Sequence, residues 1–136
     1  MQINRSEARY KAMTFLYQIN LYEKNNINYI VEEVIKEGVE IQNVFINELV
    51  YGVINKKEEL DAIANKYLEN WDLDRLGLTD QAIIRIAIYE IMYTETPNVV
   101  CINEAIELSK KYSDEKVSKM INGVLDKIYH DYEDNV

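Results

Sequence analysis

The amino-acid sequence predicts an all-α protein of about seven helices, packed as two small helical bundles. Apolar residues recur at the three-to-four-residue spacing of helices, and the alternation typical of strands is weak throughout. One proline and four glycines leave long helical stretches almost uninterrupted. A length of 136 residues fits one domain or two subdomains that share a core. We place the division between an N-terminal bundle, 1–72, and a C-terminal bundle, 73–136.

The first half contains three predicted helical stretches. Asn4 is expected to cap a helix over about 4–22, because a glutamate three residues later completes a capping box. A short helix is capped by Asn28 and ends at Gly38, since glycine adopts a left-handed conformation at little cost. A third stretch covers about 42–68, either continuous or broken near 55–57. The positions expected to be buried include Ala8, Ala12, Phe15, Ile19, Phe45, Leu49, Val50, Val53, Leu60, Ile63 and Ala64.

The second half begins with a connection over 71–78, which holds two aspartates and a glycine. Thr79 or Asp80 is expected to cap a helix that reaches about position 93. This helix is apolar on most of its circumference, so we predict that it is the central buried helix. Helices over about 101–112 and 115–131 complete the chain.

Two glycines, Gly52 and Gly123, fall inside predicted helices, where glycine costs about 1 kcal/mol relative to alanine. Close approach of a neighbouring helix is the interpretation that we favour for both. For Gly123 the alternative is that a partner molecule needs access to the helix backbone.

Residue types that carry out catalysis are scarce. The single cysteine, Cys101, cannot form an intramolecular disulfide and suits a reducing cytoplasm. The single histidine, His130, follows Lys127 by three positions, so the Glu-x-x-His pair of di-iron proteins is absent. Asp126 and His130 alone are too few ligands for a closed metal site. No phosphate-binding glycine loop or membrane-spanning apolar run occurs. We expect a cytoplasmic protein that is not an enzyme and has no cofactor, metal or membrane anchor.

The net charge of −9 argues against nucleic-acid binding by bulk electrostatics, but the cations are clustered. Residues 1–11 contain Arg5, Arg9 and Lys11 against one acid. They lie at a predicted helix start, an end that favours anions because its amide groups are unpaired.

A second basic cluster covers residues 110–119, with four lysines against two acids. Lys119 belongs to it, and Tyr112 and Met120 beside it are groups on which a base can stack. A solvated helix end is the alternative interpretation of each cluster. Either way, the acidity of the chain restricts RNA binding to one edge instead of excluding it.

Three sequence blocks stand out in the second half: Asp-Gln-Ala-Ile-Ile-Arg-Ile-Ala-Ile-Tyr-Glu-Ile from Asp80, Ile-Asn-Glu-Ala-Ile-Glu-Leu from Ile102 and Ile-Asn-Gly-Val-Leu-Asp from Ile121. The first half adds the spacing of Arg5 and Arg9 and the pair Leu16-Tyr17. Together these residues resemble the bacterial NusB family of transcription antitermination factors. The resemblance extends over nearly the whole chain.

The resemblance implies an all-helical fold of two packed bundles and a function in transcription. The family binds the boxA element of nascent RNA, mostly in ribosomal RNA leaders, as a heterodimer with NusE, a protein of the small ribosomal subunit. The heterodimer then joins other Nus factors on RNA polymerase. By family position, Arg5 and Arg9 are implied to meet RNA, and Tyr17 and Asp80 to meet the protein partner.

The sequence departs from the family at both parts of the expected RNA surface. Ser6 and Glu7 stand where many relatives have arginines, and Met120 stands where an aromatic residue is frequent. We therefore expect fewer phosphate contacts and weaker stacking. The residues expected to bind RNA are Arg5, Arg9, Lys11, Lys119 and Met120.

Other polar residues of the family blocks have structural interpretations. Asn103, Glu104 and Asn122 are expected to form hydrogen bonds between helices in preference to ligand contacts, and Arg85 and Glu90 to be structural charge partners. Two other functions stay open: a detached RNA-binding module of the ribosomal RNA methyltransferase type, and a helical adaptor that binds only protein. A homodimer is also compatible with the apolar content.

Overall fold

The computed structural model describes residues 3–133, the side chain of Glu133 excepted. These residues form six α-helices and one 3-10 turn, with no strand among them. The all-α prediction is confirmed. The elements are α1 Arg5–Lys24, α2 Val31–Gly38, α3 Val44–Tyr67, the 3-10 turn Leu73–Arg75, α4 Leu78–Tyr93, α5 Asn98–Tyr112 and α6 Glu115–Glu133.

Polar side chains cap the N-termini of three helices. The Asn4 side chain accepts a hydrogen bond from the Glu7 amide at 2.8 Å, which confirms the predicted cap of α1. Asn43 caps α3 in the same way, and Asp114 accepts from the Val117 amide at the start of α6. Each cap of this kind stabilises a helix by about 1 kcal/mol.

Two predicted caps are wrong. The residue before α2 is Ile30 and not Asn28, and it makes no side-chain cap bond. Gly77 precedes α4, so Thr79 and Asp80 lie inside its first turn. In neither place does the residue before the helix provide a side-chain acceptor for the first amides.

The third predicted stretch is continuous, which was one of its two alternatives: α3 runs without a break through 55–57, where positions 55 and 56 face solvent and tolerate polar side chains. One predicted boundary differs. Helix α5 begins at Asn98, three residues before the expected start, because Pro97 at φ −56° already has a backbone suited to helix entry.

Helix α4 is the centre of the fold and packs against α1, α3, α5 and α6, which confirms the prediction of a central helix. Its residues Ile83, Ile84, Ala87 and Ile88 are buried. Because α4 contacts helices of both halves, the two halves share one core. The division at 72/73 stays a prediction, and it falls just before the 3-10 turn.

The direction of the helices follows from their contacts. Arg9 near the start of α1 meets Glu90 near the end of α4. Lys24 at the end of α1 shares a cavity with Leu78 at the start of α4, so these helices are antiparallel. Ser6 and Tyr10 of α1 contact Glu104 and Tyr112 of α5 in the same order along both helices. Helices α1 and α5 therefore run parallel and begin at the same end of the molecule.

Three glycines have different explanations. A Cβ at Gly52 would overlap the Tyr89 ring, which confirms close helix approach there. A Cβ at Gly38 would overlap the Phe15 ring, and no glycine has a positive φ, so close packing and not left-handed backbone explains Gly38. Around Gly123 no atom of a packing neighbour among the described residues lies within 4 Å of a Cβ. Close approach is therefore wrong for Gly123.

No helix of the described residues is long and apolar enough to cross a membrane.

Candidate functional site

Arg5 is an exposed cation at the first position of α1. Its guanidinium carbon lies 4.3 Å from the centroid of the Phe45 ring, a cation–π contact with α3. None of the carboxylates described in the structure is close enough to form an ion pair with it. Arg5 thus presents a positive charge beside the free amides of a helix N-terminus.

Arg9 lies in the interior of the protein. It is 3% exposed, and its Nε and Nη2 atoms donate to the Glu90 carboxylate at 2.6 and 2.8 Å. Burial lowers the pKa of Arg9, but the hydrogen bond and charge of Glu90 more than compensate, so its pKa is raised. Arg9 thus makes a structural contact between α1 and α4, and its expected contact with RNA stays a prediction.

The polar residues around this pair connect three helices. Ser6 donates to Glu104 at 2.7 Å, as expected for a bond between helices, and Glu104 lies 3.7 Å from Nη1 of Arg9. Asn103 and Asn122, which were also expected to form hydrogen bonds between helices, are exposed.

The structural role expected for Arg85 and Glu90 is present, but they do not pair with each other. Arg85 donates to Asp61 of α3 at 2.7 and 3.1 Å, whereas Glu90 accepts from Arg9.

Lys11 lies on the flank of α1 that faces α2. Its Nζ donates to the Gly38 carbonyl at 3.1 Å. Lys11 and Arg5 line a cavity of about 740 Å³ against the loop between α2 and α3. Arg5 and Lys11 therefore border one cavity near the start of α1, whereas Arg9 lies in the interior.

Tyr10 and Tyr112 join α1 to the second basic cluster. Their rings stack with centroids 5.2 Å apart and planes inclined by 23°. This contact places the cluster at 110–119 beside the start of α1, although the two tyrosines are about a hundred positions apart in sequence. The sequence singled out Tyr112 as a stacking surface but contained no signal for its partner Tyr10.

Lys119 is exposed on α6, and its Nζ lies 3.5 Å from the Glu115 carboxylate. An exposed pair of this kind contributes little and leaves the lysine available. Met120 is half-buried and lines a cavity of about 630 Å³ that Asp80 also lines. A residue expected to bind RNA and a residue expected to bind protein therefore meet at one cavity.

Asp80 has an incomplete hydrogen-bonding environment. Burial and the nearby charge of Asp114 raise its pKa, while a hydrogen bond with Ser113 acts in the opposite direction. Its Oδ1 is buried and has no hydrogen-bond partner among the residues described.

Tyr17 is 40% exposed on α1, eight residues after Arg9. Because α1 and α4 are antiparallel, Tyr17 lies toward the end at which α4 begins, the end that carries Asp80.

The model of the NusB family matches residues 6–130. A transcription antitermination protein NusB of Listeria innocua is 45% identical over 125 residues, which cover 90% of this chain and 94% of the relative. The Bacillus subtilis protein of the same name is 41% identical over 132 residues, covering 96% and 98%. The chain belongs to the NusB family.

Solved NusB structures have the same fold. NusB of T. maritima superposes with a TM-score of 0.81 at 29% identity, covering 94% of this chain and 92% of that one. A chain in the crystal structure of antitermination factors NusB and NusE with dsRNA gives a TM-score of 0.80 at 31% identity, covering 94% and 97%. The NusB relatives are named as antitermination proteins and not as enzymes.

Proposed function

We propose that this NusB-family chain is a transcription antitermination factor that binds boxA RNA of nascent ribosomal transcripts as a heterodimer with NusE. The heterodimer joins other Nus factors on RNA polymerase, in the cytoplasm. The chain contributes binding surfaces and carries out no catalytic step. The Tyr10–Tyr112 contact carries this proposal, because it joins two basic clusters that are far apart in sequence. Relatives named for antitermination support it.

The RNA edge consists of Arg5, Lys119 and Met120, and Tyr112, whose ring stacks on Tyr10 of α1, adds a stacking surface. Lys11 adds positive charge on the side of α1 that faces α2. Arg9 acts indirectly, because its ion pair with Glu90 fixes the start of α1 and so the position of Arg5. A surface with so few cations, on a protein of net charge −9, holds RNA weakly by itself.

The protein partner contacts Tyr17 and Asp80. Both lie toward the same end of α4, and Tyr17 is exposed. A basic partner suits the acidic chain and supplies further phosphate and base contacts, so RNA affinity increases when both proteins share the ligand.

The deciding experiment measures affinity for a boxA single strand, with and without NusE, at two salt concentrations. With about 3–5 phosphates neutralised, the chain alone should show a log–log salt slope of about −2 to −3.5. NusE should increase the affinity. Binding of NusE without any gain in RNA affinity would instead identify an adaptor that binds only protein.

Variants of the RNA edge locate the contacts. Arg5→Ala and Lys119→Ala should each weaken RNA binding and reduce the magnitude of the salt slope by about 0.7, the value for one lost phosphate contact on a single strand. Lys66→Ala is the matched control, because Lys66 is an exposed lysine near the C-terminal end of α3. If all three variants bind RNA equally well, the RNA edge is elsewhere on the molecule.

A further inference from the structure

The loop between α2 and α3, residues 39–43, carries apolar side chains that the rest of the described chain leaves open to solvent. Ile41 in this loop is 63% exposed, and Val44 at the first position of α3 is 81% exposed. Both line the cavity of about 740 Å³, together with Val39. Single exposed apolar residues are common, but neighbouring ones on one surface are typical of a site of protein interaction.

A second cavity, of about 530 Å³, adjoins the first, because Val39, Glu40 and Gln42 line both. It lies between α2 and α3, and Ile35 and Tyr51 add apolar surface to it. Space remains there because α2 packs mainly against α1. We call this second cavity, with the exposed pair Ile41 and Val44 at its edge, the α2–α3 groove.

Acidic side chains surround the α2–α3 groove. Residues 31–48 contain five glutamates and one lysine, and all six are exposed. Glu32 and Glu40 line the groove itself, together with the lysine, Lys36. The ion pairs among the described residues all lie elsewhere. Carboxylates that lie close together without counterions repel one another, and a partner with positive charges would relieve this repulsion.

The α2–α3 groove and the surface proposed for NusE lie on different sides of α1. Tyr10 stacks on Tyr112 of α5, and Tyr17 follows Tyr10 by seven positions, about 20° away on the same side of the helix. Phe15 is about 140° from Tyr10 around the helix, and its ring lies beside Gly38 of α2. A second partner can therefore occupy the groove while NusE contacts Tyr17.

We propose that the α2–α3 groove binds a basic amphipathic helix of a protein other than NusE in the transcription complex. Apolar side chains of that helix lie against Ile41 and Val44, and its lysines or arginines face Glu32 and Glu40. A helix suits the groove because its apolar stripe and flanking charges share one face. Addition of a partner strand would need a sheet edge, and the described residues contain no strand.

This inference rests on the proposed antitermination function and assigns the surface through which the chain joins RNA polymerase and the other Nus factors. The acidic block then has a role of its own, because it selects a basic protein segment and repels RNA. RNA stays at the edge that carries Arg5 and Lys119.

The test measures how tightly the chain, bound to NusE, joins elongation complexes of purified RNA polymerase and the other Nus factors on a boxA template. Val44→Ser removes apolar surface, and Glu40→Lys reverses a charge of the groove. Each should weaken this association about fivefold or more, and change affinity for NusE and for boxA RNA less than about twofold. The matched controls are Val99→Ser and Glu58→Lys, at exposed positions that do not line the groove, and they should leave the association unchanged.

Photo-crosslinking identifies the partner. Benzoylphenylalanine at position 44 should crosslink, within the same complexes, to a helix in which lysines or arginines flank apolar residues. The same amino acid at position 58 should give no such product. Because charges contribute to the contact, added salt should weaken the association of the unaltered chain more than that of Glu40→Lys.

Three outcomes would overturn the inference, and they differ in what else they affect. If the unaltered chain with NusE neither binds boxA RNA nor joins the elongation complex, the proposed function fails with it. If the unaltered chain, Val44→Ser and Glu40→Lys all join equally well, only the groove assignment fails. If position 44 crosslinks to boxA RNA or to NusE, the groove belongs to one of those two surfaces instead.

Discussion

Arg9 and Glu90 form a two-pronged ion pair in the interior, with donor–acceptor distances of 2.6 and 2.8 Å. Both side chains are almost completely buried, at 4% and 1% exposure. A buried pair of this kind contributes little net stability, because desolvation offsets the attraction between the charges. Removing one partner is different, since it leaves an uncompensated charge in the core.

Arg9→Ala should therefore destabilise the protein by about 3–5 kcal/mol, because the Glu90 carboxylate loses its counterion. Chemical denaturation followed by circular dichroism measures the loss. The double variant Arg9→Met with Glu90→Leu should lose much less, since it removes both charges together. An Arg9→Ala protein of unchanged stability that had lost RNA affinity would show that Arg9 contacts RNA directly.

The sequence predicted the features that depend on local periodicity. The buried face of Ala8, Ala12, Phe15 and Ile19 is present, because one apolar stripe per helix is visible in the order of residues. The cap at Asn4 was also predictable, since cap and amide are three positions apart.

Contacts between distant segments were not predictable in the same way. Nothing local shows that Glu90 faces Arg9 from 81 positions away, so a cation beside an apolar face was interpreted as a phosphate ligand. The stacking of Tyr10 on Tyr112 depends equally on how α1 and α5 pack. The family resemblance supplied candidate residues, but it did not show which of the charged candidates already form ion pairs inside the protein.

Cys101 should be almost inert toward thiol reagents in the native protein. It is 2% exposed, and burial together with the Glu90 charge raises its pKa to about 12. At pH 8 its thiolate fraction should be about a thousandfold lower than that of an ordinary cysteine. A chromogenic disulfide reagent should react slowly with the native protein and rapidly in denaturant. Equal rates in both conditions would contradict the buried position.

Gly52→Ala should have opposite effects in two backgrounds. In the unaltered chain the new methyl group overlaps the Tyr89 ring, so a loss of about 1–3 kcal/mol is expected. In a Tyr89→Ala background the space is free, and the better helix propensity of alanine should stabilise by about 0.5–1 kcal/mol. Urea denaturation of the four proteins measures the coupling, and a loss of equal size in both backgrounds would exclude the ring as its cause.

Asp80→Asn should stabilise the free chain at neutral pH. The raised pKa of Asp80 means that the folded state binds its proton more tightly than the unfolded state does. The resulting contribution to stability is fully present below the unfolded pKa, about 3.9, and is lost as the pH rises through the folded pKa. The variant should therefore exceed the unaltered chain in free energy of unfolding at pH 7, and the difference should shrink toward pH 4.

Urea denaturation at several pH values measures this difference in the free energy of unfolding. Asp126→Asn, at an exposed position, is the matched control and should change stability by less than about 0.5 kcal/mol. The groups around Asp80 are Asp114, which opposes its ionisation, Ser113, which favours it, and the cavity cations Arg75, Lys116 and Lys127. A variant less stable than the unaltered chain at pH 7 would mean that those cations already stabilise the carboxylate. A gain in stability together with weaker NusE binding would show instead that the ionised Asp80 carboxylate destabilises the isolated chain and strengthens NusE binding.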